Sequence, residues 1–167
     1  MFPDDLRLEA QRLLDELQCC GMRLATAESC TGGLMAALLT EIPGSSDVFD
    51  RGFVTYSNNA KIEMLGVCSQ LIATHGVVSR EVALAMAAGA LLHSNAGVVV
   101  SCTGVAGPGG GTASKPIGLV HLAAQQNGHP PLHHECRFGD IGRAAIRLAT
   151  VAAALALMRR AMDVTAA

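Results

Sequence analysis

The residues best suited to chemistry in this chain of 167 residues surround its only tyrosine and one of its two lysines. Tyr56 and Lys61 lie five residues apart, in a segment that also carries Ser45 and Ser46 after a Pro-Gly turn. Lysine loses its proton when it is buried, whereas arginine does not, so a buried lysine beside a hydroxyl is a base beside a nucleophile. The other interpretation is structural: the tyrosine packs at a strand end, Lys61 is solvated and the serines cap the turn.

A second candidate segment runs from Ala27 to Gly33, where a predicted strand meets a predicted helix and offers free main-chain N–H groups and the positive end of a helix dipole. This junction indicates either an anionic or carbonyl ligand or simply a capped helix. Cys30 is either a nucleophile favoured by that dipole or a buried structural thiol, and the second interpretation is favoured because no histidine partner is assigned.

A third candidate is the run from Ser101 to Gly111, which leaves the end of a predicted apolar strand and enters a glycine-rich loop over residues 103–114. Ligands of open α/β sheets bind beyond the carboxyl ends of strands, where glycines let main-chain amides approach them. The run matches neither the phosphate-loop pattern nor the dinucleotide pattern, so a flexible surface loop is the alternative. Arg143 and Arg147 share one face of the last predicted helix, and they either grip a phosphate or form a solvated face.

Composition restricts the partners. The net charge of −2 and the lack of a basic run argue against nucleic acid, and the longest apolar stretches are too short to span a membrane. The six histidines have no metal-ligand spacing, so neither a metal nor another cofactor is expected. Only 16% of residues are charged and 50% are hydrophobic, which predicts a homo-oligomer. Scattered cysteines and a start without secretory features predict a cytoplasmic protein.

Hydrophobic periodicity predicts one α/β domain over residues 1–167, with a mixed sheet and a late antiparallel hairpin. Ser79 is predicted to cap a long alanine-rich helix, and Asp140 to cap the last helix. The predicted helices cover residues 4–20, about 31–41, 59–65, 79–94 and 141–162. The predicted strands cover residues 23–27, 52–56, 97–102, about 117–125 and 131–137.

Five motifs in this order resemble the CinA C-terminal domain family over residues 6–162. They are Thr26-Ala27-Glu28-Ser29-Cys30-Thr31-Gly32-Gly33, Gly44-Ser45-Ser46 leading to Gly52-Phe53-Val54-Thr55-Tyr56-Ser57-Asn58 and Lys61, His75-Gly76-Val77-Val78-Ser79, Thr103-Gly104-Val105-Ala106-Gly107-Pro108, and Lys115-Pro116-Ile117-Gly118. The resemblance implies a three-layer α/β/α sandwich, usually a homodimer, and stand-alone members that deamidate nicotinamide mononucleotide to nicotinic acid mononucleotide in pyridine nucleotide salvage. Many relatives carry a further N-terminal domain, and Gly109 stands where relatives often have an acidic residue.

The resemblance also implies roles for residues. Ser46 is the implied nucleophile, Lys61 its base and Tyr56 a hydrogen-bonding or proton-relaying partner. The implied substrate-binding residues are Ser29, Thr31, Gly32, Thr103, Gly104 and Arg143. Main-chain amides near Thr103 or Ser46 are expected to hold the oxyanion, and Arg143 the phosphate.

Two other functions stay open on the sequence. One is a domain that binds a nucleotide or a protein without catalysis, because the family is also linked to competence and DNA-damage responses. The other is an amidase that uses Cys30, which an alkylating agent would inactivate.

Overall fold

The computed structural model describes residues 2–163, and its centre is a five-stranded mixed sheet in the order β2-β1-β3-β4-β5. The strands are β1 (Leu24–Glu28), β2 (Phe49–Val54), β3 (Val98–Gly104), β4 (Leu119–Gln126) and β5 (Leu132–Arg137). β1 runs parallel to β2 and to β3, whereas β4 is antiparallel to both β3 and β5. The predicted mixed sheet and its late hairpin are confirmed.

Six helices cover the two faces of this sheet within residues 2–163, giving the predicted three-layer α/β/α sandwich. They are α1 (Asp4–Cys19), α2 (Leu34–Glu41), α3 (Asn58–Leu65), α4 (Ser69–His75), α5 (Arg80–Leu92) and α6 (Arg143–Asp163). The apolar faces of α1, α2 and α6 pack on one side of the sheet and those of α3, α4 and α5 on the other, in two separate buried clusters. None of these helices combines the length and apolar content of a membrane-spanning segment.

The central strands are buried because both of their faces carry helices. Every residue of β1 is buried, and β3 is buried from Val98 to Thr103. Along β3 the side chains alternate between the two clusters, with Val98 and Val100 on one side and Val99 on the other. This continuous apolar pattern is typical of central strands in α/β proteins. The carboxyl ends of β1, β2 and β3 therefore meet at one edge, where the polar segments begin.

Sheet pairing explains where the predicted boundaries shift. β2 begins three residues earlier than predicted and ends before Tyr56, because its partner β1 ends at Glu28, which pairs with Val54. β3 continues to Gly104 because that residue still pairs with Val120. The short helix α4 was not predicted.

The predicted helix caps have different outcomes. Ser79 caps α5 as predicted, since its hydroxyl accepts a hydrogen bond from the Val82 amide at 3.3 Å. The cap predicted at Asp140 is wrong, because α6 begins at Arg143 and Gly142 precedes it.

Candidate active site

A cavity of about 210 Å³ opens at the carboxyl ends of β1, β2 and β3. Ser29 and Cys30 reach it from the end of β1, and Thr103 and Gly104 from the end of β3. Tyr56 follows β2. The lining is completed by side chains from α3, from the loop before α5, from the glycine-rich loop and from α6: Asn58, Lys61, Val77, Val78, Ala106 and Arg143. Five separate stretches of the sequence thus meet at one pocket.

The Lys61 side chain is fully buried, with 0% of its surface exposed. Its Nζ lies 3.0 Å from Ser29 Oγ and donates to the Thr55 carbonyl at 2.7 Å. Burial lowers the pKa of the Lys61 amine below its ordinary value, because the charged form loses hydration there, and the thiols of Cys102 and Cys30 only partly offset this effect. The amine is therefore suited to act as a base toward the Ser29 hydroxyl.

The position of Lys61 is set by the start of α3. Ser57 caps that helix, since its hydroxyl accepts a 3.0 Å hydrogen bond from the Ala60 amide. Lys61 lies in the first turn, with its own amide donating to the Ser57 carbonyl at 3.2 Å. From this first turn the Lys61 side chain reaches back to the Thr55 carbonyl just after β2, whereas the sequence alone also allowed a solvated position.

The Ser29 side chain stands on a turn between β1 and α2. The Ser29 amide donates to the Cys102 carbonyl of β3 at 3.1 Å, and the Gly32 amide donates back to the Ser29 carbonyl at 3.1 Å. Gly32 and Gly33 have φ of 59° and 92°, in the left-handed region that side chains other than glycine rarely occupy. These two glycines let the chain turn sharply enough to present Ser29 to Lys61.

Ser46, the nucleophile implied by the resemblance, lies outside this cavity. It is exposed in a 3₁₀ turn over Ser45–Asp47 that precedes β2, at the end of the sheet opposite to the carboxyl ends of the strands. The hydroxyl that Lys61 contacts belongs instead to Ser29, which the same resemblance gave only a substrate-binding role. The chain runs the length of β2 between Ser46 and Tyr56, and sequence proximity did not reveal this separation.

The other predicted residues divide into two groups. Tyr56, Thr103, Gly104 and Arg143 line the cavity with Ser29 and Lys61. Thr31 and Gly32 do not line it and instead shape the turn.

Arg143 and Arg147 both bind main-chain carbonyl groups. Arg143 donates to the Gly107 carbonyl at 2.8 Å and to the Tyr56 hydroxyl at 2.8 Å, which holds the tyrosine at the mouth of the cavity. Arg147 donates to the Thr31 carbonyl, with its Nε at 3.2 Å. The pair is therefore neither a simple solvated face nor a joint grip on one anion.

The Cys30 thiol faces the same cavity but is chemically unsuited to attack. A hydrogen bond with the Cys102 sulfur and burial raise the pKa of Cys30 well above its ordinary value. A thiol that stays protonated is a poor nucleophile, so the geometry favours Ser29 over Cys30. Across residues 2–163 no group of three or more His, Cys, Asp or Glu side chains is arranged to hold a metal ion.

Several pocket and supporting residues were not identified as functional from the sequence. Asn58, Val77 and Val78 line the cavity. Glu28 accepts a hydrogen bond from the Thr31 hydroxyl, and the Thr55 carbonyl accepts one from the Lys61 amine. All five lie inside the sequence motifs, so their presence there was the available signal. What the motifs lacked was any indication of which of their polar side chains point inward.

The comparisons with known proteins all indicate the same family. The sequence model of the CinA C-terminal domain matches residues 7–162. The nicotinamide-nucleotide amidohydrolase PncC of Escherichia coli K12 is 44% identical over 156 residues, which cover 93% of this chain and 93% of that protein. A CinA-like protein of Chloroherpeton thalassium is 54% identical over 116 residues, 70% of this chain but 27% of that protein, so the chain spans about a quarter of that longer relative.

Solved structures agree with the sequence relatives. The crystal structure of the competence/damage inducible protein CihA from Agrobacterium tumefaciens superimposes with a TM-score of 0.95 at 55% identity, covering 96% of this chain and 98% of that one. A CinA superfamily protein from Klebsiella pneumoniae superimposes with a TM-score of 0.89 at 32% identity, covering 95% of this chain and 98% of that one.

Proposed function

This chain belongs to the CinA C-terminal domain family, and from that premise we propose that it hydrolyses the carboxamide of nicotinamide mononucleotide to nicotinic acid mononucleotide and ammonia. The E. coli relative is named a nicotinamide-nucleotide amidohydrolase, and the proposed reaction breaks a linear amide C–N bond of that kind of substrate. The observation that carries the proposal is the fully buried Lys61 amine 3.0 Å from Ser29 Oγ at the base of a cavity. A salvage role for pyridine nucleotides follows from the same reaction.

In the proposed mechanism Ser29, rather than Ser46, is the nucleophile. Neutral Lys61 keeps one N–H on the Thr55 carbonyl and accepts the Ser29 proton as Oγ attacks the carboxamide carbon. The resulting ammonium then protonates the leaving nitrogen, so ammonia departs and an ester to Ser29 remains. Water attacks that ester with Lys61 again as base, which releases the carboxylate product and restores the serine.

The developing oxyanion needs donors beside the attacked carbon. With Ser29 as nucleophile, amides near Ser46 are too remote, because Ser46 does not line the cavity. The main-chain N–H groups of Cys30 and Thr31 follow the nucleophile directly and donate to no oxygen atom within residues 2–163. We assign them to the oxyanion, and Arg143 at the cavity mouth to the substrate phosphate.

The experiment is an ammonia-release assay on nicotinamide mononucleotide with purified protein, Ser29→Ala and Ser46→Ala. We expect Ser29→Ala to lose activity by about 10⁴-fold or more, as removal of a serine nucleophile does elsewhere. Ser46→Ala is the matched control and should stay within about twofold, because exposed substitutions rarely perturb a fold. The reverse pattern would restore Ser46 as nucleophile, and binding of the nucleotide without ammonia release would instead support the non-catalytic binding function.

We also propose that the chain forms homodimers in the cytoplasm. Leu92 of α5 and Met64 of α3 are 79% and 42% exposed, and these two helices pack against each other. Exposed apolar side chains on this face of the molecule support its burial by a second copy. Six free cysteines, three of them exposed, support a reducing compartment. Light scattering of the purified chain tests the dimer, and a monomer at micromolar concentration would contradict it.

A further inference from the structure

The turn that carries Ser29 is attached to a buried carboxylate. Glu28, the last residue of β1, is 0% exposed. Its Oε2 accepts hydrogen bonds from the Thr31 hydroxyl at 2.7 Å and from the Gly33 and Met35 amides at 3.0 Å each. Its Oε1 accepts from the Ala36 amide at 2.9 Å. A single side chain thus takes up the free amides at the start of α2 and fixes the residues immediately after the nucleophile.

Only a carboxylate satisfies this set of donors. Both oxygens of Glu28 accept from main-chain N–H groups, which cannot reverse their direction as a hydroxyl can. A glutamine side chain would turn its NH₂ group toward Gly33 and Met35 or toward Ala36, so either orientation places a donor against a donor.

A second side chain fixes the same turn from α6, which packs on the same side of the sheet as α2. Arg147 of α6 donates to the Thr31 carbonyl through Nε and Nη2. Thr31 is thus held at its hydroxyl by Glu28 and at its carbonyl by Arg147. The Ser29 side chain, two residues earlier, is left as the part of the turn that faces Lys61.

We propose that Glu28 is a positioning residue for the reaction: through Thr31 and the first amides of α2 it holds Ser29 Oγ within reach of Lys61 Nζ. The inference rests on the proposed function in taking Ser29 as the nucleophile, but it concerns the reactivity of that hydroxyl and needs no particular substrate. Displacement of a reacting atom by about 1 Å costs on the order of 100-fold in rate, so a turn without this support presents a much less reactive serine.

The test measures the rate constant for modification of Ser29 by phenylmethylsulfonyl fluoride, with the labelled residue identified by mass spectrometry. The variants are Glu28→Gln, Thr31→Val and Thr31→Ser in the full chain. We expect Glu28→Gln to slow labelling by about 10- to 100-fold, Thr31→Val by about 3- to 10-fold, and Thr31→Ser, which keeps the hydroxyl, to stay within about twofold. The labelling rate constant is expressed per folded molecule, so partial unfolding of a variant does not by itself lower it.

The matched control is Thr26→Val, because the Thr26 hydroxyl donates to Oε1 of the same carboxylate at 3.4 Å from β1 and not from the turn. It should label at the parent rate. If Glu28→Gln fails to fold, the Thr31 pair decides: equal rates for Thr31→Val and Thr31→Ser overturn the inference. If the parent protein is labelled at Ser29 but releases no ammonia from nicotinamide mononucleotide, the proposed substrate is refuted. The labelling rates of the variants would then still test the positioning role of Glu28.

Discussion

Replacing Lys61 by methionine separates the catalytic role of this side chain from its structural role. Methionine has a similar unbranched shape and keeps the apolar contacts of the lysine stem, but it removes the amine that contacts Ser29 and Thr55. Loss of a general base and of its proton donation typically costs about 10²- to 10⁴-fold in rate. We therefore expect kcat for ammonia release to fall by at least about 100-fold.

The expected effect of Lys61→Met on stability is small, in contrast to its effect on the rate. Removing the amine leaves the Thr55 carbonyl without its donor, which costs about 1–3 kcal/mol. It also removes the penalty of holding an ionisable group in a site with 0% exposure, and replacing buried charged groups by apolar ones is often neutral or stabilising by about 1–4 kcal/mol. The two effects nearly cancel, so we expect the free energy of unfolding to change by less than about 2 kcal/mol.

The assay combines ammonia release with thermal unfolding on the parent, Lys61→Met and Ile62→Met. Ile62 is the next residue of α3 and is half-buried, so Ile62→Met is a control for a new methionine that leaves the amine in place. For a chain of this size 1 kcal/mol corresponds to about 2–4 °C in Tm. A Lys61→Met variant that keeps activity within tenfold of the parent would refute the base, and one that loses more than about 4 kcal/mol would show that the amine is chiefly structural.

Three further outcomes follow from the described contacts. Because burial lowers the pKa of Lys61, this amine binds fewer protons in the folded than in the unfolded state between that lowered pKa and its ordinary value of 10.5, so its contribution to the unfolding free energy rises with pH across this window. The buried thiols of Cys30 and Cys136, whose pKa values are raised, contribute with the opposite sign; the difference in unfolding free energy between the parent and Lys61→Met, measured by denaturant titration, should therefore shift in favour of the parent as the pH rises. Gly89→Ala should destabilise by about 1–3 kcal/mol despite the better helix propensity of alanine, because the new Cβ would clash with the Leu65 carbonyl oxygen. Gly109→Ala is the control, because nothing lies within 4 Å of its Cβ position, and it should change Tm little. Ser79→Ala should cost about 1 kcal/mol through loss of the α5 cap, and an unchanged unfolding midpoint would contradict that role.

The glycine-rich loop shows where local reasoning from the sequence was sound but incomplete. The loop was expected beyond an apolar strand, and it does follow β3. Thr103 and Gly104, which form the end of β3, line the cavity, whereas Gly109 and Gly110 of the loop lie apart in an open depression shared with Asp140. Glycine content does not distinguish these two parts, because both are compatible with close approach of a ligand.

The amino-acid sequence was enough to predict the periodic elements, the mixed sheet and the family, because these depend on local hydrophobic patterns and on motifs of several residues each. It also singled out Lys61, whose residue type is rare in this chain. Which serine that lysine contacts became clear only from the folded arrangement of the strands. Ser46 is closer along the chain, but β2 carries the chain the length of the sheet between them, whereas parallel pairing of β1 with β2 brings Ser29 and the start of α3 to the same edge.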